Sequence, residues 1–513
     1  MTPQRLLLAV GVPLGLLIAL LSPAWTAYDE FTHFARVVDM AHGNLEPGLT
    51  PEGVGSLIPT AYREATAEII IDHQAGRPPW TSTSVRALLG HRPDGRTVFV
   101  DTRPTTASSP LGYLPATVGS FLPVALGAPG VVVLWAGRLA SLAAYMLLAA
   151  WAVRTAAAFR WSLAVAATIP LNLALAASVS PDGLTTAAVL LAVAMWTRVE
   201  GGEDVPLPAL ILSTGMLALA KPPYFLVLGL FVASAVLERT TGRIRAACVA
   251  GAALLVGLIA TVANSSDNYQ AVTTTMIRRI DYNPELQMDH LLGDMPGFLW
   301  ATVDTWLTEY RFYVQGWFRQ LGFWEADMAP VVPWALVAIL AVSLLVLDGD
   351  DMERLSGVRR AAIALGVAGL VIAIYAASFV YFTDRPDYDH IGLQMARYSA
   401  PLAVLAFIAW SPRALVGPAR RLGRRLAVVG VVGAPMVAVG ASVVTWLWTG
   451  ANTELGGTRA LGRPSFHKGL QRTGGQAQDG QHAQYVVSLE EERPDEVPGV
   501  TEADLLDGDE GGG

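Results

Sequence analysis

The sequence contains little cysteine and little charge, and each shortage excludes a class of protein. A single cysteine, Cys248, in 513 residues allows no internal disulfide framework and no cysteine metal cluster. Only 15% of the residues are charged and 53% are hydrophobic, which is too apolar for a soluble protein of this length. The net charge of −8 argues against a nucleic-acid partner, and the missing G-x-x-x-x-G-K-[ST] phosphate loop argues against an ATP-driven transporter. We therefore expect an integral membrane protein.

Long apolar runs predict an all-α, polytopic membrane domain over residues 1–449. A helix needs roughly 20 apolar residues to cross the hydrocarbon layer. About eleven runs fit, at 5–22, 131–153, 161–179, 183–198, 206–220, 223–238, 246–264, 331–347, 360–382, 392–411 and 426–449. A large outer loop is expected at about 23–130 and a second at about 265–330. Two prolines inside 110–130 favour a surface or re-entrant helix over another span there.

The distribution of arginine predicts the orientation in the membrane. Short loops rich in arginine face the cytoplasm, and with eleven spans most of the arginine clusters fall on one side together with Arg5. We expect a cytoplasmic N-terminus in the cell membrane and both large loops outside. Residues 450–513 are polar and acidic, which predicts a disordered extracytoplasmic tail.

The segment "YDEFTHFARVVDMAHG" follows the first apolar run and places charged residues where the chain leaves the membrane. Its apolar residues recur at helical spacing, which predicts an amphipathic helix on the outer membrane surface. Asp29 and Glu30 begin this helix, and His33 and Arg36 follow on one face. Asp29 is either a simple helix cap or a general base toward an acceptor hydroxyl. The spacing does not decide between the two.

Four more charged residues stand at or near the outer ends of predicted spans. Asp182 either caps a hairpin or contributes to a site, and Lys221 lies beside a helix broken by two prolines. A lone lysine there either snorkels to lipid head groups or binds a lipid phosphate. Arg138 and Arg397 lie within spans and therefore need anionic partners.

These segments together carry a family resemblance. The order "DEFTHFARV", "SSPLGYLPATVGSFL", "WAGRLASLAAY", "ASVSPDGLTTA", "LAKPPYFL", "RQLGFWEADMAPVVPW" and "QMARYSAPLAVL" resembles the bacterial membrane-protein family called domain of unknown function 2142. The resemblance runs from about Asp29 to Pro401. Tyr113, Tyr224 and Tyr398 lie in its tyrosine-containing motifs.

That family is similar to the C-type glycosyltransferases, so the resemblance implies a fold and an activity. It implies an inverting enzyme that transfers sugar from a polyprenyl-phosphate donor to an envelope glycan, lipid or protein. Asp29 maps to the essential acid, with Glu30 beside it. The implied substrate-binding residues are His33, Arg36, Tyr113, Arg138, Asp182, Lys221, Tyr224, Arg397 and Tyr398.

Several alternatives to this function stay open at the level of sequence. The chain is a lipid-linked-glycan flippase if charged residues line both halves of a pore, or a scaffold for envelope assembly if the charged residues do not converge. No cofactor is certain: Asp29, Glu30 and Asp182 offer oxygen ligands for a divalent metal, yet their spacing does not form a recognisable metal motif. Membrane lipids, the lipid-linked sugar and the acceptor are the expected partners.

Overall fold

The computed structural model describes most of the membrane domain and shows that it is mostly helical. The described residues are 2–50, 53–74, 80–102, 105–106, 108–275, 284–322, 326, 328–352, 355–382, 391, 396–410 and 420–448. They belong to one compact unit, Met1–Thr458. The predicted disorder of the tail at 450–513 lies outside them.

The helices occur in two series along the chain. The first series comprises α1 (Pro3–Leu6), α2 (Val12–Leu21), α3 (Glu30–Ala41), α4 (Thr60–Gln74), α5 (Ser82–Leu88), α6 (Pro110–Ala125), α7 (Gly130–Thr155), α8 (Arg160–Thr168), α9 (Pro170–Ala176), α10 (Asp182–Glu200) and α11 (Leu207–Ala218). The second comprises α12 (Gly229–Leu237), α13 (Thr241–Thr275), α14 (Pro284–Gly293), α15 (Met295–Arg319), α16 (Val331–Leu347), α17 (Gly349–Met352), α18 (Gly357–Phe382), α19 (Ala396–Ser399), α20 (Ala403–Trp410) and α21 (Arg420–Trp448). A π-helical turn, Leu7–Gly11, joins α1 to α2, and 3₁₀ turns cover Tyr224–Leu228 and Ala400–Leu402.

Six helices among the described residues are long and apolar enough to cross a membrane. They are Pro3–Leu21, Gly130–Thr155, Asp182–Glu200, Thr241–Ala263, Gly357–Val380 and Gly423–Leu447. Four shorter apolar helices coincide with four more of the predicted runs, at Leu207–Ala218, Tyr224–Leu237, Val331–Leu347 and Ala396–Ala409. The multi-span architecture is therefore confirmed, while the number of eleven spans stays a prediction.

The predicted span at 161–179 is wrong as a continuous helix, because it is divided into α8 and α9. Pro170 has no N–H to continue the helix and drives the residue before it toward extended backbone; Ile169 has φ −53° and ψ 128°. The Asn172 side chain compensates at the break, where its Nδ2 donates to the carbonyl of Ala166 (2.8 Å) and to that of Ala400 (3.1 Å).

The all-α prediction is also wrong in the first large loop, which contains a small antiparallel sheet. Strands β1 (Gly48–Thr50), β2 (Gly53–Pro59) and β3 (Thr97–Asp101) lie in that order, with Leu57 opposite Phe99. A Cβ atom at Gly55 would lie 2.3 Å from the Val100 carbonyl oxygen, so the close approach of β2 to β3 requires glycine.

Helix α3 exists where the sequence predicted it, but it does not lie on a surface. Nearly every residue of α3 is buried, including its charged residues. Phe34, which is fully buried, packs against the rings of Trp25 and Tyr62, each with its centroid 5.7 Å away. Helix α6, with Pro115 and Pro123 inside it, packs against both α3 and α7. The amphipathic pattern therefore marks a helix enclosed by protein, because α6 and the sheet pack against it.

Candidate functional site

Asp29 forms an ion pair with Arg397, 368 positions later in the chain. Arg397 Nη2 donates to Asp29 Oδ2 at 2.6 Å, and the two side chains are 5% and 22% exposed, respectively. Asp29 precedes α3 in the left-handed region, with φ 54°, and its side chain makes no capping hydrogen bond. The interpretation of Asp29 as a simple cap is therefore wrong, since its carboxylate turns toward Arg397 instead.

The environment of Asp29 shifts its pKa and that of His33. Burial raises the pKa of Asp29, but the positive charges of Arg397 and Lys221 and the hydrogen bond from Arg397 outweigh burial and hold the pKa below its usual value. Burial lowers the pKa of His33 to about 4 against the opposing effects of Asp29 and Asp182. At neutral pH, Asp29 is thus ionised and His33 is neutral.

A second ion pair joins Lys221 to Asp182. Lys221 Nζ lies 2.6 Å from Asp182 Oδ1, and both side chains are largely buried. Asp182 begins α10, where the exposed backbone N–H groups favour a carboxylate. Lys221 follows the end of α11, where Pro222 and Pro223 prevent the helix from continuing. The break in the helix thus places an ammonium group beside the start of α10.

Tyr398 brings the two ion pairs together. Its ring centroid is 5.3 Å from Lys221 Nζ and 5.0 Å from Arg397 Cζ, so both cations lie close to the same aromatic ring. Its hydroxyl accepts a hydrogen bond from Arg397 Nη2 at 3.0 Å. Its carbonyl accepts one from the Tyr224 hydroxyl at 2.8 Å. Four separate chain segments therefore meet at Tyr398.

His33 and Tyr113 border the same cluster. His33 Nδ1 and the Tyr113 hydroxyl are 2.9 Å apart, and both residues are buried. Helix α6 approaches the turn before α10 so closely that a Cβ at Gly112 would lie 2.7 Å from Pro181 Cβ. This packing positions Tyr113 beside the two ion pairs. We call Asp29, His33, Tyr113, Asp182, Lys221, Arg397 and Tyr398 the charge cluster.

Glu30 and Arg138 form a separate pair that is fully enclosed. Arg138 Nε and Nη2 donate to the two carboxylate oxygens of Glu30 at 2.8 and 2.5 Å. Arg138 also donates to the carbonyl oxygens of Ala19, Ser22 and Pro23, where α2 ends. Both side chains are 0% exposed. These contacts fasten the end of α2 to α3 and α7, while the predicted catalytic role of Glu30 and substrate-binding role of Arg138 stay predictions.

Arg36, on the same face of α3 as His33, is held by the turn that follows the helix. Its Nη2 donates to the Leu45 carbonyl at 2.6 Å and to Glu46 Oε2 at 2.9 Å. Its guanidinium carbon lies 5.9 Å from the centroid of the Tyr113 ring. Arg36 is therefore adjacent to the charge cluster through Tyr113.

Some polar atoms of the charge cluster have no partner within the part of the chain that the structure describes. Nε and Nη1 of Arg397 and Oδ2 of Asp182 are buried there without a hydrogen bond. Buried polar groups are normally paired, so these atoms are the ones a bound ligand would satisfy. Among the same residues, no three His, Cys, Asp or Glu side chains are grouped to hold a metal ion.

Sequence reasoning missed two residues at this site. The ring of Tyr28 lies 5.2 Å from Arg397 Cζ, and Glu46 is the carboxylate partner of Arg36. Tyr28 directly precedes Asp29, so its position beside a candidate site residue could have indicated it from the sequence. Glu46 has no such signal, because only the turn after α3 brings it back to Arg36.

Comparison with known proteins identifies the family of the chain. No curated protein and no solved structure matches it. A family model described as a predicted membrane protein, DUF2142, matches residues 13–406, and this range includes every member of the charge cluster. The match confirms the resemblance that the order of motifs indicated. The chain therefore belongs to the DUF2142 family of predicted membrane proteins.

Proposed function

We propose that this protein is a membrane glycosyltransferase that transfers a sugar from a polyprenyl-phosphate donor to a hydroxyl group of a cell-envelope acceptor. The observation that carries the proposal is the convergence of the Asp29–Arg397 and Lys221–Asp182 pairs on Tyr398. A scaffold has no need to collect two acids and two cations, all of them buried or half-buried, from four distant segments. An enzyme that handles a phosphate and a hydroxyl proton needs both kinds of charge.

The cations supply the donor site in this proposal. Nε and Nη1 of Arg397 have no hydrogen-bond partner among the described residues, and guanidinium N–H groups form charge-assisted hydrogen bonds with phosphate oxygens. Lys221 adds a second positive charge beside the same Tyr398 ring. Charge-assisted hydrogen bonds in a poorly solvated site stabilise the negative charge that develops on the phosphate as the sugar leaves.

Asp29 supplies the general base. The acceptor oxygen attacks the anomeric carbon, the bond from that carbon to the phosphate oxygen breaks, and the polyprenyl phosphate leaves with the electron pair. The proton of the acceptor hydroxyl passes to Asp29. In the free protein Arg397 holds the pKa of Asp29 low, which makes it a weak base. A donor phosphate on Arg397 offsets that charge, so donor binding raises the pKa of Asp29 and strengthens the base.

The position of charged residues supports surface chemistry over transport. In the six described candidate spans, every charged residue except Arg138 lies within the first five or the last three residues. Arg138 is neutralised by Glu30. A flippase needs polar groups along the path of its substrate, and these described spans offer no such series.

The charge cluster faces the outside of the cell in this proposal, with the N-terminus in the cytoplasm. Arginine-rich segments, which include Arg243 and Arg359, lie at the ends of the spans away from the charge cluster. Such segments favour the cytoplasmic side. Reporter fusions test the orientation: alkaline phosphatase inserted in the first large loop, near Asp94, should be active. Activity of a cytoplasm-only reporter at that position would reverse the topology and remove the basis for extracytoplasmic transfer.

Asp29→Asn tests the catalytic assignment. Asparagine adopts the left-handed backbone at least as readily as aspartate, so the substitution keeps the entry to α3 while removing the base. We expect transfer activity to fall by roughly two to four orders of magnitude, measured with membranes and a labelled polyprenyl-phosphate sugar. Asp94→Asn, at an exposed acid of the same loop, is the matched control. Near wild-type activity of folded Asp29→Asn protein would remove Asp29 from the mechanism.

A further inference from the structure

Arg36 is completely enclosed, yet it is incompletely paired. Its side chain is 0% exposed, and its Nη2 donates to the Leu45 carbonyl and the Glu46 carboxylate. Within the described part of the chain, Nε and Nη1 have no hydrogen-bond partner. A buried charge with unmet donors is strongly destabilising in general, so a fold keeps such a group when something else satisfies it.

Arg138 shows how this protein satisfies a buried arginine with its own acceptors. It is also 0% exposed, but its carboxylate partner Glu30 is equally buried and the carbonyls at the end of α2 use its remaining donors. The carboxylate partner of Arg36 is Glu46, which is 67% exposed. Arg36 therefore has spare donors and a counter-ion that can leave into solvent.

The turn between α3 and β1 is the element that carries Glu46. His42, Gly43, Asn44, Leu45 and Glu46 are all exposed. Asn44 Nδ2 donates to Asp39 Oδ1 at 2.8 Å, which fastens the first half of the turn to α3. The second half is held to the body by the contacts of Leu45 and Glu46 with Arg36. Those two contacts lie between the end of α3 and the pairing of Gly48 with Gly55, so their loss frees only this short part of the turn.

Arg36 is also continuous with the charge cluster. Asp29, His33 and Arg36 follow one another at helical spacing, and at ~1.5 Å per residue Arg36 lies about 10 Å from Asp29 along α3. Tyr113 contacts both His33 and Arg36: its hydroxyl is 2.9 Å from His33 Nδ1, and its ring centroid is 5.9 Å from Arg36 Cζ. A ligand reaching both Asp29 and Arg36 would run along this face.

We infer that Arg36 is an oxyanion-binding subsite for a carboxylate or phosphate group and that Glu46 occupies it as an internal ligand until such a group arrives. Once Glu46 leaves, Nη2 and the unused nitrogen beside it, Nε or Nη1, form the donor edge that an oxyanion binds through two hydrogen bonds. Because Arg36 lies some way along α3 from Asp29, the proposed base, we assign the bound oxyanion to the acceptor molecule rather than to the donor. The acceptor is then anionic, and this assignment rests on the proposed function. An anionic lipid head group also carries a phosphate, so the test distinguishes an acceptor phosphate from a lipid phosphate.

The test measures binding and needs no turnover. Full-length protein is placed in nanodiscs of neutral phosphatidylcholine and titrated with inorganic phosphate, while amide hydrogen exchange is followed in the turn that carries Glu46. A second arm replaces phosphate with phosphatidylglycerol in the nanodisc. Both arms use an Arg397→Gln background, which removes phosphate binding at the proposed donor site. Glu46→Gln removes the internal ligand, and Glu68→Gln, at a half-exposed acid paired with His91, is its matched control.

We expect phosphate to raise exchange in the turn, and Glu46→Gln to bind phosphate roughly tenfold more tightly because a competing carboxylate is gone. Arg36→Gln should abolish the response, and Glu68→Gln should leave it unchanged. If Arg36→Gln does not fold, the comparison of phosphate affinity between Glu46→Gln and its parent still tests the subsite. Equal phosphate affinity in Glu46→Gln and its parent would overturn the subsite. A response to phosphatidylglycerol alone would overturn the acceptor assignment. Neither result depends on whether Asp29 catalyses transfer.

Discussion

The buried neutral His33 makes the stability of this protein depend on pH, and the dependence can be calculated. The folded pKa of His33 is about 4, because burial disfavours the imidazolium. The ordinary value is 6.5. As the pH falls below 6.5 the unfolded chain binds a proton that the folded protein does not bind, so stability is lost with falling pH. The loss is complete once the pH is below the folded pKa.

The magnitude follows from the two pKa values. At pH ~5 the unfolded histidine is almost fully protonated and the folded one is mostly neutral, which costs the folded state about 2 kcal/mol, rising to about 3 kcal/mol near pH 4. Because His33 is only 5% exposed, solvent screens this difference little. A loss of this size is a large part of the stability of an ordinary domain.

Substitution of His33 by glutamine isolates this contribution. Glutamine is neutral at every pH and can still form a hydrogen bond with the Tyr113 hydroxyl. The free energy of unfolding is measured by reversible SDS titration in mixed micelles at pH ~7.5 and ~5 for both proteins. We expect wild type to lose about 2 kcal/mol more than His33→Gln between the two conditions. His42→Gln, at an exposed histidine just after α3, is the control and should behave as wild type. Equal losses in wild type and His33→Gln would refute the reasoning.

Two further predictions concern the ion pairs. Glu30→Gln leaves Arg138 buried without a counter-ion, so we expect unfolding to become easier by about 3–5 kcal/mol; an unchanged midpoint in SDS titration would contradict the structural role of the pair. Lys221→Gln should raise KM for the polyprenyl-phosphate donor about tenfold or more with a smaller change in kcat, whereas Lys221→Arg should retain most of the affinity. Unchanged KM in Lys221→Gln would restrict Lys221 to neutralising Asp182.

The membrane fold could be predicted from local properties of the sequence because each span satisfies its own backbone hydrogen bonds. An apolar run such as 131–153 therefore marks a helix wherever it lies in the fold, and α7 covers it at Gly130–Thr155. Pro170 shows the limit of this approach. The apolar run continues through Pro170, but the helix is interrupted there. The break is tolerated because the Asn172 side chain donates a hydrogen bond to the Ala400 carbonyl, 228 positions away.

The sequence alone determined which residue types the candidate site contains, but not how they pair. Asp29 and Glu30 are adjacent and chemically almost alike, and both begin an amphipathic helix. Only the tertiary structure separates them. The left-handed backbone at Asp29 directs its carboxylate to Arg397, while the carboxylate of Glu30, the first residue of α3, forms an ion pair with Arg138. Pairings across more than a hundred positions depend on which helices pack together. Packing is a property of the whole chain, so no local pattern encodes it.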